Sequence, residues 1–220
     1  GSEMCIRDRR LMMDKKTAYL ISAGTAICGG SAIAAVAPVV KANDNEMSMS
    51  LGTIFILNAI ALFIFPPIGH LLGMTQEQFG MWAAIAIHDT SSVVGAGAAY
   101  GEKALEIATM VKLTRALWII PVTIATMFLF KQKGAKISIP WFIFFFILAM
   151  VANTFLSIPE VVSSSLVWTA KKGLTVTLFL IGSGLSRKVI KHVGVRPMVQ
   201  GVILWIFIGL MSLGVIMLVE

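Results

Sequence analysis

The sequence predicts an all-α polytopic membrane protein with about seven transmembrane segments, two of them interrupted. Three observations predict this fold: the composition, the length of the apolar stretches, and glycines that break two of those stretches. Of the 220 residues, 57% are hydrophobic and 13% are charged, whereas a soluble domain has about 25% charged residues. Because so few polar side chains cannot coat a globule of this size in water, an ordinary soluble enzyme is excluded.

The apolar stretches are roughly 17 to 25 residues long, which is the length that a helix needs to cross about 30 Å of hydrocarbon. Each stretch must be helical in lipid, because an exposed backbone amide there costs several kcal/mol. One stretch, f, is shorter than the others. The predicted segments are a (17–40), b (51–72), c (79–100), d (113–130), e (140–157), f (173–185) and g (197–219).

The domain organisation follows from these segments. Residues 1–10 share neither the composition nor the periodicity of the rest of the chain, so we predict a non-native leader there. Residues 11–220 are predicted to form a single membrane domain. Within it, residues 186–194 are basic with apolar side chains on one helical face, a pattern typical of an interfacial half-helix.

Segment a is broken by adjacent glycines, Gly29 and Gly30. Ser31 is then placed to cap a second half-helix over residues 32–40. The N-terminus of a buried half-helix presents amide donors and a partial positive charge, so Gly29, Gly30, Ser31 and Ala32 are predicted to bind an anion. An alternative interpretation is that these small residues only let helices pack closely.

A second predicted break, at Gly182, Ser183 and Gly184, ends segment f. Paired interrupted segments in corresponding positions indicate a transporter built from inverted repeats. On this interpretation, residues 17–72 are the end of the first repeat and residues 79–219 form the second repeat of a five-plus-five fold. The two breaks would together form a substrate-binding site.

Segment c carries consecutive polar residues in an otherwise apolar stretch: His88, Asp89, Thr90 and Ser91. An ionisable pair within a membrane span is expensive and is a functional candidate by default. Because histidine titrates near neutral pH, we predict that these four residues carry or sense a coupling proton. Alternatively, His88 and Thr90 bond nearby backbone and hold the helix bundle together.

Two cationic side chains open segment d beside Trp118. Lys112 and Arg115 are expected to extend to the membrane interface, although Arg115 could instead face a cavity and attract an anion.

Other function classes lack support in the sequence. The formal charge of +7 arises from basic residues scattered between apolar stretches, so no nucleic-acid partner is expected. We expect no cofactor and no metal, because Cys28 and the three histidines lie far apart in the sequence. Residues 24–31 resemble a phosphate-binding loop, but Gly30 stands where that loop has its lysine, so no nucleotide is expected to bind.

Three stretches carry a resemblance to a known family: GTAICGGSAIAAVAPVVKA (24–42), AIHDTSSVVGAG (86–97), and FLIGSGLS (179–186) followed by GVRP. Together they resemble the YeiH-like bacterial inner-membrane proteins, a family named for sulfate export. The resemblance implies a multi-pass protein of the bacterial inner (plasma) membrane, of which this chain is the C-terminal two-thirds. It also implies a fold similar to five-plus-five inverted-repeat carriers with crossing interrupted helices.

We therefore predict an ion-coupled secondary transporter, or a fragment of one, that is not an enzyme and that moves a small anion such as sulfate or a sulfonate. Its expected partners are the lipid bilayer and that anionic solute, with a homo-oligomer left open. Two alternatives stay open: a membrane-embedded enzyme that uses His88 and Asp89 as base and orienter, and a noncatalytic membrane scaffold subunit.

Overall fold

A computed structural model describes residues 14–130, 141–155, 159–184 and 193–219. Within these ranges all regular secondary structure is helical, as the sequence predicts. The helices are α1 (Lys15–Ala26), α2 (Gly30–Val36), α3 (Asp44–Leu71), α4 (Gln76–Ala86), α5 (Thr90–Tyr100), α6 (Glu102–Ala116), α7 (Ile119–Leu129), α8 (Trp141–Phe155), α9 (Glu160–Gly184) and α10 (Val195–Val219).

Three helical stretches of the described residues are long and apolar enough to cross a membrane: Asp44–Leu71, Glu102–Leu129 and Val195–Leu218. The second comprises α6 and α7, which are separated only by a short turn. The described residues thus have the character of a membrane protein.

Side-chain caps fix where several helices begin. Asp14 accepts a hydrogen bond from the backbone N–H of Lys16 at 2.8 Å and starts α1. Asn43 and Glu46 form a reciprocal capping box at the start of α3, with bonds of 2.8 and 2.7 Å. Because a cap satisfies amides that have no partner within the helix, these polar residues set helix boundaries beside apolar stretches.

Helix α6 packs closely against α4 and α5, and two glycines make this possible. A Cβ atom built on Gly97 of α5 would lie 2.9 Å from the Cα of Leu105, and one built on Gly80 of α4 would lie 2.9 Å from the carbonyl oxygen of Ala104. Since real Cβ atoms essentially never come this close to backbone, only glycine fits at both positions. The backbone of α6 is therefore held directly against both helices.

An aromatic cluster ties α3, α4 and α10 together. The rings of Phe65 and Trp82 stack with centroids 4.3 Å apart, and Phe79 is fully buried beside them. The indole N–H of Trp82 donates to the carbonyl oxygen of Gly209 at 3.0 Å, so this buried polar group is satisfied across the α4 and α10 interface.

The predicted start of segment f, at residue 173, is wrong. α9 is continuous from Glu160 to Gly184, so the helix that contains segment f is not short. Its serine and threonine side chains bond carbonyl oxygens of the same helix: Ser165 Oγ donates to Val161 O at 2.8 Å, and Thr169 Oγ1 donates to Ser165 O at 2.9 Å. A polar stretch lowers hydropathy without ending a helix, which explains the error.

Two predictions fall on residues outside the described ranges. The leader at 1–10 lies outside them entirely, and so does the predicted interfacial half-helix at 186–194 except for its last two residues.

The close approach of α6 predicts that Gly97→Ala destabilises the protein. The added methyl group would overlap the backbone of α6, and overpacking of this kind costs about 1–3 kcal/mol. Thermal unfolding in detergent, followed by circular dichroism, should show a lower Tm for this variant. Gly214→Ala is the matched control, because a Cβ there meets nothing within 4 Å and alanine has the better helix propensity. Equal melting temperatures for the two variants would contradict the prediction.

Candidate functional site

The first break in a helix lies at residues 27–29, between α1 and α2, where the sequence predicts one. Gly29 has φ 69° and ψ −121°, a conformation that side chains disfavour. The predicted cap at Ser31 is wrong: Gly29 is the N-cap, α2 begins at Gly30, and Ser31 already has helical backbone. The predicted half-helix over 32–40 is also too long, because α2 ends at Val36, shortly before a proline that cannot donate the next backbone bond.

The second broken helix interrupts segment c, which the sequence pattern predicts as one uninterrupted span. α4 ends at Ala86 and α5 begins at Thr90. Between them, Ile87 and Asp89 have extended backbone, with ψ 127° and ψ 144°. Of the polar residues predicted to couple a proton, His88 and Asp89 therefore lie in a break between two helices, and Thr90 and Ser91 begin α5.

The two breaks meet. A Cβ atom built on Gly29 would lie 3.2 Å from the carbonyl oxygen of His88 and 3.2 Å from Cγ2 of Ile54. We call this meeting point the junction and define it by residues 26–29, residues 84–89, Lys112 and Arg115. The absence of a side chain at Gly29 is what allows the two backbones to come together.

Arg115 of α6 joins the ends of both broken helices. Its Nη1 donates to the carbonyl oxygens of Ala84 and Ile85, at 2.8 and 2.9 Å, near the end of α4. Its Nη2 donates to the carbonyl oxygen of Ala26, the last residue of α1, at 2.8 Å. The last carbonyls of a helix lack partners within it and carry partial negative charge, so one guanidinium satisfies and neutralises two helix ends.

Lys112, one turn earlier on α6, has a completely buried side chain. Its Nζ donates to the carbonyl oxygen of Ile87 at 2.7 Å and to that of Ala84 at 3.4 Å. The expectation that Lys112 reaches the membrane interface is wrong, because its ammonium turns inward to the end of α4. The alternative for Arg115, an inward orientation, matches its contacts.

Sequence reasoning missed Lys112 as a site residue and named Arg115 only as an alternative, although a signal for Lys112 was present. Four buried residues of α6 recur at every fourth position: Ala104, Ala108, Lys112 and Ala116. A lysine within a stripe of alanines on one helical face predicts an inward ammonium. The stripe was not recognised because segment d was predicted to start at residue 113. That boundary leaves the first three turns of α6 outside the predicted helix.

Asp89 caps the other side of the second break. Its Oδ2 accepts from the backbone N–H groups of Ser91 and Ser92, at 3.1 and 3.3 Å, and from the hydroxyl of Ser91. Thr90 is the first residue of α5 and is half-buried. The carboxylate thus neutralises the positive end of α5, whereas the two cations neutralise the negative end of α4.

His88 is part of the junction and has no exposed surface. Its backbone N–H donates to Oδ1 of Asn58, on α3, at 3.0 Å. Within the described part of the chain, the two ring nitrogens of His88 have no hydrogen-bond partner. The Nδ2 of Asn58 has none there either. Buried polar atoms without partners are rare and call for an explanation, so His88 is kept as a candidate functional residue.

The remaining predicted site residues are placed less completely. The backbone of Gly182, Ser183 and Gly184 forms the last turn of α9, and the prediction that these residues share a site with Gly29 remains a prediction. No group of three or more His, Cys, Asp or Glu side chains that could hold a metal occurs among residues 14–130, 141–155, 159–184 and 193–219.

Comparison with known proteins agrees with the membrane character of the chain. A UPF0324 membrane protein of Bacteroides thetaiotaomicron is 66% identical over 206 residues, which cover 93% of this chain and 62% of that protein. A UPF0324 membrane protein of Porphyromonas gingivalis is 59% identical over 213 residues, which cover 95% of this chain and 64% of that protein. The chain thus spans less than two thirds of the length of these relatives.

No solved structure is detectably similar to the chain. The model of the family described as conserved hypothetical protein 698 matches residues 3–201. The resemblance to YeiH-like proteins is confirmed, and the chain belongs to this UPF0324 family of membrane proteins.

Proposed function

We propose that the chain is the larger part of a secondary transporter that moves a small anion, such as sulfate or a sulfonate, across the bacterial inner membrane. The single observation that carries this proposal is the junction, where two broken helices meet with two cationic side chains between them. Irregular backbone in a membrane protein is tolerated where it is buried in protein or lines a cavity, and discontinuous helices form the substrate sites of many transporters.

The charge of the junction favours an anion. Two basic side chains, those of Lys112 and Arg115, lie at the junction, against one carboxylate, that of Asp89. That carboxylate is engaged by the start of α5. Hydrogen bonds within the described residues account for two of the three N–H groups of the Lys112 ammonium, which leaves a donor for an oxyanion.

The proposed fold is the seven-segment, five-plus-five inverted-repeat arrangement, with the first break at residues 27–29 and a second at the end of α9, whose last turn contains Gly182, Ser183 and Gly184. The break at residues 87–89 supports a fold that is rich in discontinuous helices. In this arrangement the anion would bind between Gly29, Gly30, Ser31 and Ala32 on one side and the end of α9 on the other.

We favour transport over catalysis because the junction lacks a reactive pair in the part of the chain that the structure describes. The ring of His88 bonds no hydroxyl, thiol or carboxylate there. Asp89, the proposed orienter of an enzyme, instead bonds amides and a hydroxyl at the start of α5.

The transport proposal predicts uptake of labelled sulfate or a small sulfonate into proteoliposomes. Both this chain and the full-length relative from Bacteroides thetaiotaomicron should be reconstituted. Arg115→Gln should lower the initial rate at least tenfold, because it removes a junction charge and releases the ends of α1 and α4. Lys103→Gln is the matched control on the same helix, since the side chain of Lys103 is exposed and its ammonium pairs with Glu106. Uptake by the proteoliposomes at the same rate as by empty liposomes would reject transport of these anions.

We propose that His88, with Asp89, Thr90 and Ser91 beside it, carries the coupled proton. The rate of anion uptake should therefore respond to a pH gradient. Wild-type uptake should rise several-fold when an inward proton gradient is imposed, because the buried imidazole would carry the coupled proton. In His88→Gln that stimulation should be lost.

The matched control for this experiment is His70→Gln, because His70 is exposed and stacks on Tyr100 away from the junction. Wild-type stimulation in His88→Gln would remove the proton role of His88.

A further inference from the structure

Four backbone carbonyl oxygens converge on the two cations of the junction. They belong to Ala26 at the end of α1 and to Ala84, Ile85 and Ile87 at the end of α4. The negative ends of two helices are directed at the same small volume, and both cationic side chains come from one face of α6. Such an arrangement is a cation site by its chemistry, because carbonyl oxygens are the ligands of hard monovalent cations and replace their hydration shell.

In transporters with discontinuous helices, unwound carbonyls and half-helix C-terminal ends coordinate the coupling sodium ion or proton. Here an ammonium and a guanidinium occupy those positions. The side chain of Lys112 is completely buried, and the carbonyl oxygens of Ile87 and Ala84 accept hydrogen bonds from its Nζ. A buried charge on a long, flexible side chain is unfavourable unless such partners compensate for the lost hydration.

We propose that Lys112 is a tethered substitute for a coupling metal cation: its ammonium fills a carbonyl-lined site at the junction that would otherwise bind a monovalent cation such as Na⁺. Arg115 closes the same site from the side of α1. The consequence for transport, which rests on the proposed function, is that anion movement does not require sodium.

Removing the tethered ammonium tests the proposal. In Lys112→Ala, the carbonyl oxygen of Ile87 loses its donor and that of Ala84 keeps its bond to Arg115, and the space of the side chain is open to a small cation. Thermal unfolding of the 220-residue chain in detergent should be measured in choline chloride, sodium chloride and methylammonium chloride at equal ionic strength. We expect the Tm of Lys112→Ala to rise by about 3–6 °C in sodium or methylammonium, the shift for a site with ligand at about tenfold its Kd.

Two control variants separate this effect from general salt stabilisation. Lys112→Met fills the vacated space with an apolar chain, so it should melt below wild type and respond to no cation. Lys103→Ala removes an exposed lysine of the same helix, paired at 3.4 Å with Glu106, and should behave like wild type. Wild type should have the same Tm in all three salts, because its site is already occupied.

The proposal is overturned if Lys112→Ala folds and has the same Tm in all three salts. Should that variant fail to fold, the wild-type measurement decides: a sodium-specific rise in Tm shows that the site takes a free cation beside Lys112, and the proposal is wrong. A wild-type Tm that is unchanged by sodium supports it.

Proteoliposome uptake provides the second readout. If the chain transports sulfate or a sulfonate, replacing sodium by choline on both sides of the membrane should leave the wild-type rate unchanged. A strict sodium requirement would overturn the proposal. Absence of any uptake would count against the proposed function alone, since the melting experiment measures the occupancy of the site without transport.

Discussion

The hydrogen bonds from Arg115 and Lys112 to the broken ends of α1 and α4 are the interaction on which the arrangement depends. A helix that ends inside a membrane protein leaves several carbonyl oxygens without partners, and each unsatisfied group there costs several kcal/mol. Two cations on one face of α6 satisfy four of these oxygens. The breaks exist because α6 compensates for them, and α6 is close enough to do so because Gly80 and Gly97 admit its backbone.

Complementary charges at both sides of the second break give the junction its polarity. The carboxylate of Asp89 faces the amide end of α5, and the two cations face the carbonyl end of α4. Between these groups lies His88, which is fully buried and has ring nitrogens without partners among the described residues. The Nδ2 of Asn58, whose Oδ1 accepts from the backbone of His88, has no partner among the described residues either.

Much of the fold could be predicted because composition and apolar length are properties of the local sequence. The helical membrane character and the break at Gly29 follow from them, since glycine is the residue that this backbone conformation requires. The break at residues 87–89 could not be predicted in the same way: it has no glycine or proline, and it depends on Asp89 capping α5 and on Lys112 compensating from another helix. Such long-range compensation leaves no periodic pattern in segment c itself.

One guanidinium bonds the ends of two different helices, and this has a mechanical consequence. If α1 shifts relative to α4, the hydrogen bonds of Arg115 to Ala26 or those to Ala84 and Ile85 must break. The two half-helices therefore move together, or Arg115 exchanges its acceptors when they move apart. In either case, movement of α1 relative to α4 is linked to the hydrogen bonds of this one side chain.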